Sequence, residues 1–287
     1  MPRSTVIAKR SALILGMLAS LAHAQGAGDP NLQHPNQVVT VQRDGYTIAG
    51  LVTHTAGAKQ FTHGIALFPG SPGIMQIREE SGVPRYGQTG DFLIRSRRQW
   101  LDDETLLVSV DAPSDQWNFF NHLFRATPRY GQDVKALLEE VSRRYPVSDW
   151  TFVGTSEGSV SAFHAARMNP DLAKRVILTS SLFTGTRNGP ALSGTRMEEL
   201  RSPLLWVHHE NDPCRYTQYS DARRYAERTM SPLLTVRGGG PQQGDPCEAR
   251  SFHGYIGVER ETVLAMRSWV KTGQVPGDVS PDTKSGN

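Results

Sequence analysis

Residues 150–158 read Trp150-Thr151-Phe152-Val153-Gly154-Thr155-Ser156-Glu157-Gly158, and SVSAFHAARM follows at once over residues 159–168. The aromatic and β-branched run predicts a strand, and the alanine-rich stretch after it predicts a helix. Strand, sharp turn and helix therefore meet at one serine. The spacing is G-x-S-x-G in the context where it acts as a nucleophile elbow. Glycines two residues either side leave room for a tight turn, and the helix N-terminus behind the serine favours negative charge. Outside that context the same five residues would read as an ordinary turn.

Working outward, short apolar runs alternate with longer amphipathic ones. Strands are expected at Val38–Gln42, Tyr46–Val52, Gly64–Phe68, Thr105–Val110, Trp150–Gly154, Arg175–Thr179, Leu204–His208 and Leu233–Arg237. Helices are expected at Asp91–Trp100, Tyr130–Arg144, Glu157–Met168, Tyr216–Thr229 and Arg260–Val270. Arg43-Asp44-Gly45 joins the first two strands as a hairpin turn. In the second helix Val134, Leu137, Leu138 and Val141 form one stripe, with Lys135, Glu139, Arg143 and Arg144 turned to water. Repeated strand–helix units predict an α/β fold, a mostly parallel sheet of about eight strands with helices on both faces. One catalytic domain is expected over residues 38–272, between flexible segments at residues 25–37 and 273–287.

The 287 residues carry 31 Lys+Arg against 28 Asp+Glu, a formal charge of +3. Arg3, Lys9 and Arg10 supply that excess, and they precede the apolar run Ser11–Ala22 and the sequence Ala22-His23-Ala24. This is the layout of a secretory leader over residues 1–24, too short to span a bilayer, where about 20 apolar residues are needed. Its removal leaves 28 basic and 28 acidic residues. A neutral domain gives no reason to invoke nucleic acid, and a soluble periplasmic or secreted protein is expected.

A serine hydroxyl needs a histidine to take its proton and an acid to orient the histidine. In a nucleophile-elbow architecture these follow in the order acid, then histidine, on loops after later strands. His209-Glu210-Asn211-Asp212 follows the strand at Leu204–His208, and Ser251-Phe252-His253-Gly254 ends the loop after Leu233–Arg237. Asp212 is preferred to Glu210 because it lies further past its strand end. Among nine histidines, His253 alone combines a late loop with distance from the acid. The pair His208-His209 invites a metal reading, but no ligand spacing accompanies it. The loop Pro69-Gly70-Ser71-Pro72-Gly73 after the third strand stands where a backbone oxyanion donor belongs. The expected donors are the N–H groups of Ser71 and Glu157. In an oxidising compartment the two cysteines, Cys214 and Cys247, are expected to form a disulfide joining the acid loop to the histidine loop.

With these residues placed, the chain resembles the α/β-hydrolase superfamily over about Val38 to Lys271. VHHENDPC around Asp212 and GDPCEARSFHGY around His253 are similar to exported bacterial members. The resemblance implies a Ser156–His253–Asp212 triad, no cofactor and a small-molecule substrate, with carboxylic ester cleavage as the leading reading. Amide, peptide or thioester cleavage, or a binding protein without turnover, are the rivals. Glu157 departs from the neutral residue common after the nucleophile and is expected to place charge near it. The segment Phe183–Leu200, where the fold inserts lids, is short and not strongly apolar.

Overall fold

The computed structural model describes Met1, residues 34–275 and residues 277–281. The leader expected over residues 1–24 lies, Met1 apart, outside the described residues. The described strands are β1 (Asn36–Gln42), β2 (Thr47–Thr53), β3 (Phe61–Phe68), β4 (Arg78–Glu80), β5 (Val83–Arg85), β6 (Thr105–Val110), β7 (Val147–Thr155), β8 (Ala173–Thr179), β9 (Leu204–His209) and β10 (Leu233–Val236). Eight of them form one sheet in the order β1-β2-β6-β3-β7-β8-β9-β10. Pairing is antiparallel for β1–β2 and β2–β6 and parallel from β6 to β10. The parallel strands end on one edge, so the loops after β3, β7, β9 and β10 gather there, which is where the candidate residues lie.

The described helices are α1 (Phe92–Ser96), α2 (His122–Arg125), α3 (Pro128–Arg144), α4 (Glu157–Met168), α5 (Tyr219–Thr229) and α6 (Glu259–Thr272). Each central strand feeds two cores because alternate side chains point to opposite faces. Ala66 and Phe68 of β3 join α3, α4 and α5 on one side, among Val134, Leu137, Phe163 and Tyr225. Ile65 and Leu67 join α1 and α6 on the other, among Phe92, Met266 and Trp269. All six residues of β6 are buried, as expected of a strand covered on both faces. α3 starts where its sequence dictates: the Thr127 hydroxyl accepts the Tyr130 N–H, and Pro128 occupies the first turn, where no N–H is needed.

Several boundaries move for local reasons. The expected helix at Tyr216 begins at Tyr219, because Thr217 is held by the Asp212 loop through Thr217 Oγ1–Asp212 Oδ2 at 2.8 Å. The stretch 91–100 is α1 followed by a 3₁₀ turn at Arg97–Trp100, with Asp91 as N-cap accepting from the Leu93 and Ile94 N–H groups. The small hairpin β4–β5 turns through Ser81 and Gly82, both at positive φ. Its outward-facing residues carry no apolar alternation, so periodicity gave no sign of it. In the stretch expected as a flexible tail, Val279 bridges to Val236 of β10: Arg237 N–H donates to Val279 O at 2.8 Å and Val279 N–H to Thr235 O at 2.9 Å. Among the described residues no helix is long and apolar enough to cross a membrane.

Candidate active site

Ser156 sits between β7 and α4 with φ 53° and ψ −125°, a conformation that costs a non-glycine residue about 1–3 kcal/mol. The turn is held from several sides. Ser156 N–H donates to Thr179 O at 3.1 Å, and Ser156 O accepts from the Ser159 N–H at 3.0 Å and hydroxyl at 2.6 Å. The flanking glycines are required by close approach. A Cβ on Gly154 would lie 2.2 Å from Gly158 O, and one on Gly158 would lie 2.1 Å from Phe68 O.

The acid and the histidine meet across 41 residues: His253 Nδ1 is 3.1 Å from Asp212 Oδ2, and both side chains are buried. The second oxygen, Asp212 Oδ1, accepts the Cys214 N–H at 2.9 Å. Thr217 completes a triangle, its Oγ1 lying 2.8 Å from Asp212 Oδ2 and 3.1 Å from His253 Nδ1. Neighbouring loops hold the histidine backbone. The Ser251 hydroxyl accepts the His253 N–H at 3.0 Å, and the Ser180 hydroxyl donates to His253 O at 2.7 Å. Glu210, the other acid considered, pairs instead with Arg237 at 2.8 Å. Thr217 and Ser180 were missed in the sequence because nothing in a lone hydroxyl's spacing announces a contact made through the fold.

Ser156 and His253 line one cavity of about 460 Å³, with Gly70, Ser71, Gln88, Asp91, Phe92 and the loop 243–250 also on its wall. Ser71 stands at this wall, while the Gly70 N–H is engaged by Asp91 Oδ2 at 2.9 Å. The Glu157 side chain corrects the expectation of charge beside the nucleophile. It turns away into a buried cluster, where Asn188 Nδ2 donates to its Oε1 at 2.7 Å and Arg125 and His122 lie within 3.5 and 3.6 Å. Burial alone would raise its carboxyl, but His122, Arg125 and Asn188 outweigh that and hold it below the usual carboxylate range. Arg125, fully buried, also donates to Pro72 O at 2.9 Å and Ser161 Oγ at 2.5 Å, tying the loop after β3 to α4.

Cys214 and Cys247 form a disulfide with Cα atoms 4.6 Å apart, spanning 33 residues. It joins the Asp212 loop to the cavity loop leading to His253. The rings of His209 and Phe252 stack with centroids 4.4 Å apart and planes at 4°. The two adjacent histidines are occupied by backbone. His209 Nε2 donates to Gly238 O at 2.8 Å and its Nδ1 accepts the Asn211 N–H at 3.1 Å, while His208 Nε2 accepts the Ser181 N–H at 3.0 Å.

His208 is fully buried under the acid loop, and burial pushes it down to about 3. Its folded value lies below the unfolded one, so the unfolded chain takes up a proton that the folded chain refuses. The contribution to stability is complete above about pH 6.5 and is lost as pH falls toward 3, with a limit on the order of 5 kcal/mol. His164, lowered by burial to about 4, acts in the same direction, and Asp111, raised by burial to about 6, opposes both. Replacing His208→Gln isolates the first effect. The variant is expected to melt lower at pH 7 yet to lose less stability between pH 7 and 4 than the parent. Parallel curves in a melting series over that range would refute the assignment.

No family model matches the chain, and no curated protein matches it in sequence. Solved structures do. It is similar to Est1E from Butyrivibrio proteoclasticus, with TM-score 0.58 and 13% identity, covering 82% of this chain and 97% of that one. It is similar also to a cold-adapted esterase from an Arctic intertidal metagenomic library, with TM-score 0.54 and 11% identity, covering 85% and 96%. An alpha-beta serine hydrolase homologue from Coxiella burnetii aligns with TM-score 0.51 and 15% identity, covering 82% and 95%. Together with the eight-stranded sheet order and the strand-turn-helix at Ser156, these likenesses give the chain the α/β-hydrolase fold.

Proposed function

We propose that this protein is an exported serine hydrolase that cleaves carboxylic esters through an acyl-enzyme on Ser156. The observation that carries the reading is the buried Asp212–His253 pair, whose histidine lines the same cavity as a serine strained into an elbow at a helix N-terminus. In this mechanism Ser156 Oγ forms a bond to the substrate carbonyl carbon while His253 Nε2 takes its proton. Asp212 accepts from His253 Nδ1 and fixes the tautomer. The oxygen of the tetrahedral intermediate takes the negative charge and is met by the N–H groups of Ser71 and Glu157, each such donor worth about 3 kcal/mol in the transition state. The carbon–oxygen bond to the leaving alcohol breaks as His253 returns the proton. Water, activated by the same histidine, then releases the acid.

Export is supported by the Arg3, Lys9, Arg10 and Ser11–Ala22 pattern and by the disulfide, a bond that persists in oxidising compartments. The segment after β8 packs on the body: Ala191, Leu192 and Met197 join the core, and Asn188 binds Glu157. Small or soluble esters suit that arrangement better than lipid aggregates do. The structural neighbour from the Arctic intertidal library is a cold-adapted esterase, and one structure of Est1E holds ferulic acid.

The test combines labelling and a substrate panel. A fluorophosphonate should add one phosphonyl group at Ser156, located by peptide mass spectrometry. Chromogenic esters of increasing acyl length, with a hydroxycinnamate ester among them, should turn over much faster than matched amides. Labelling elsewhere, or amides cleaved faster than esters, would overturn the ester reading. Absence of both labelling and turnover would favour a binding protein.

A further inference from the structure

The candidate oxyanion donor belongs to a loop whose peptide planes are fixed by side chains from a distant stretch. Gln88 Nε2 donates to Gly70 O at 3.1 Å and to Ser71 O at 2.9 Å. Asp91 Oδ2 accepts the Gly70 N–H at 2.9 Å. Three consecutive peptide groups, those joining Pro69–Gly70, Gly70–Ser71 and Ser71–Pro72, are thus each held by a hydrogen bond.

The middle one decides the chemistry. Its carbonyl is Gly70 O and its N–H is that of Ser71, and across a planar trans peptide these point in opposite directions. Holding the carbonyl on Gln88 therefore directs the Ser71 N–H away from Gln88. The peptide lies against the elbow: a Cβ on Gly70 would lie 3.3 Å from Ser156 Cβ. A rotation of this peptide by half a turn would withdraw the donor and put a carbonyl oxygen in its place. Among the described residues the Ser71 hydroxyl makes no hydrogen bond, and it is Gln88 that holds the carbonyl against that rotation. The clamp is itself anchored. Gln88 adopts φ 51°, its carbonyl accepts the Asp91 N–H at 2.9 Å, and the Gly87 N–H donates to Met75 O at 2.7 Å. Asp91 also caps α1 through Oδ1, so the helix sets the height of the carboxylate that holds Gly70.

We infer that Gln88 and Asp91 are positioning residues that lock the Gly70–Ser71 peptide in the donor orientation, so that the oxyanion hole is formed before substrate arrives. This rests on the serine hydrolase reading above. The hole acts on the tetrahedral state and little on the bound ester, so its loss should appear in kcat and leave KM nearly unchanged.

The experiment uses Gln88→Met, which keeps length and removes the donor, and Gln88→Lys, which keeps a donor. With a chromogenic ester, Gln88→Met should lower kcat about 10- to 100-fold with KM within about twofold, and Gln88→Lys should recover most of the loss. The affinity of a boronic acid, whose adduct with Ser156 carries a tetrahedral oxyanion, should fall by the same factor as kcat/KM. Should Gln88→Met not fold, Gln88→Glu, of equal size and without a donor, is judged by the same criteria. Unchanged kcat, a loss confined to KM, failure of Gln88→Lys to recover activity, or undiminished boronic acid affinity would each overturn the inference. Fluorophosphonate labelling of the parent separates the two levels. If Ser156 labels and Gln88→Met behaves as the parent, only the clamp fails; if Ser156 does not label, the hydrolase reading fails with it.

Discussion

Ser156→Ala is expected to lower kcat for a chromogenic ester by about 10⁴- to 10⁶-fold while the variant folds and binds as before. In the proposed mechanism Ser156 forms the bond to substrate, and its Oγ has no hydrogen-bond partner among the described residues, so removing it takes away chemistry rather than support. The elbow itself is retained through backbone contacts, Ser156 N–H to Thr179 O and Ser159 N–H to Ser156 O. His253→Ala should fall by a similar factor, because a serine without its base remains a protonated alcohol. The double variant should be no slower than either single one, since the two groups act as a unit and the second loss removes nothing further. Asp212→Asn should be less severe than either, as it disturbs the tautomer of His253 rather than the bond-forming atom. Progress curves at enzyme concentrations high enough to detect residual turnover, with melting temperatures alongside, decide the matter. Ser156→Ala retaining more than about one per cent of parent kcat would remove Ser156 from the nucleophile's role.

The sequence made the elbow legible because its signal is local: β-branched residues, two glycines and a helix pattern lie within twenty residues. The Asp212 and His253 loops could be found by order along the chain, and the structure brings those two side chains together. What stayed hidden is contact between segments that no periodicity links. Arg125 reaches Pro72, Ser161 and Glu157 at once, so a short stretch outside every expected strand and helix carries a fully buried cation. Glu157 read as a charge beside the nucleophile because a sequence gives the position of a residue and not the direction of its side chain; Asn188, His122 and Arg125 draw it to the other side. Gln88 lies outside every expected strand and helix, yet it grips two carbonyls of the loop after β3.

Gly158→Ala is expected to destabilise the fold by at least about 4 kcal/mol, or roughly 10 °C in Tm, and in most expression conditions to reduce soluble yield. Helix propensity alone points the other way, since alanine within a helix is favoured over glycine by about 1 kcal/mol. Close approach decides against propensity. The new Cβ would lie 2.1 Å from Phe68 O and 2.5 Å from Pro69 O, which are backbone atoms of the sheet edge and cannot swing aside. Relief requires moving α4 away from β3, and that separates the elbow from the loop carrying Gly70 and Ser71. Any folded fraction should therefore lose activity out of proportion to its loss of stability, through kcat. Gly277→Ala is the matched control for the melt, since a Cβ there meets nothing within 4 Å and its φ is not positive. If Gly158→Ala melted with the parent and kept its kcat, the approach of α4 to the end of β3 would be looser than 2.1 Å implies, and the second glycine of the motif would owe its place to something other than this contact.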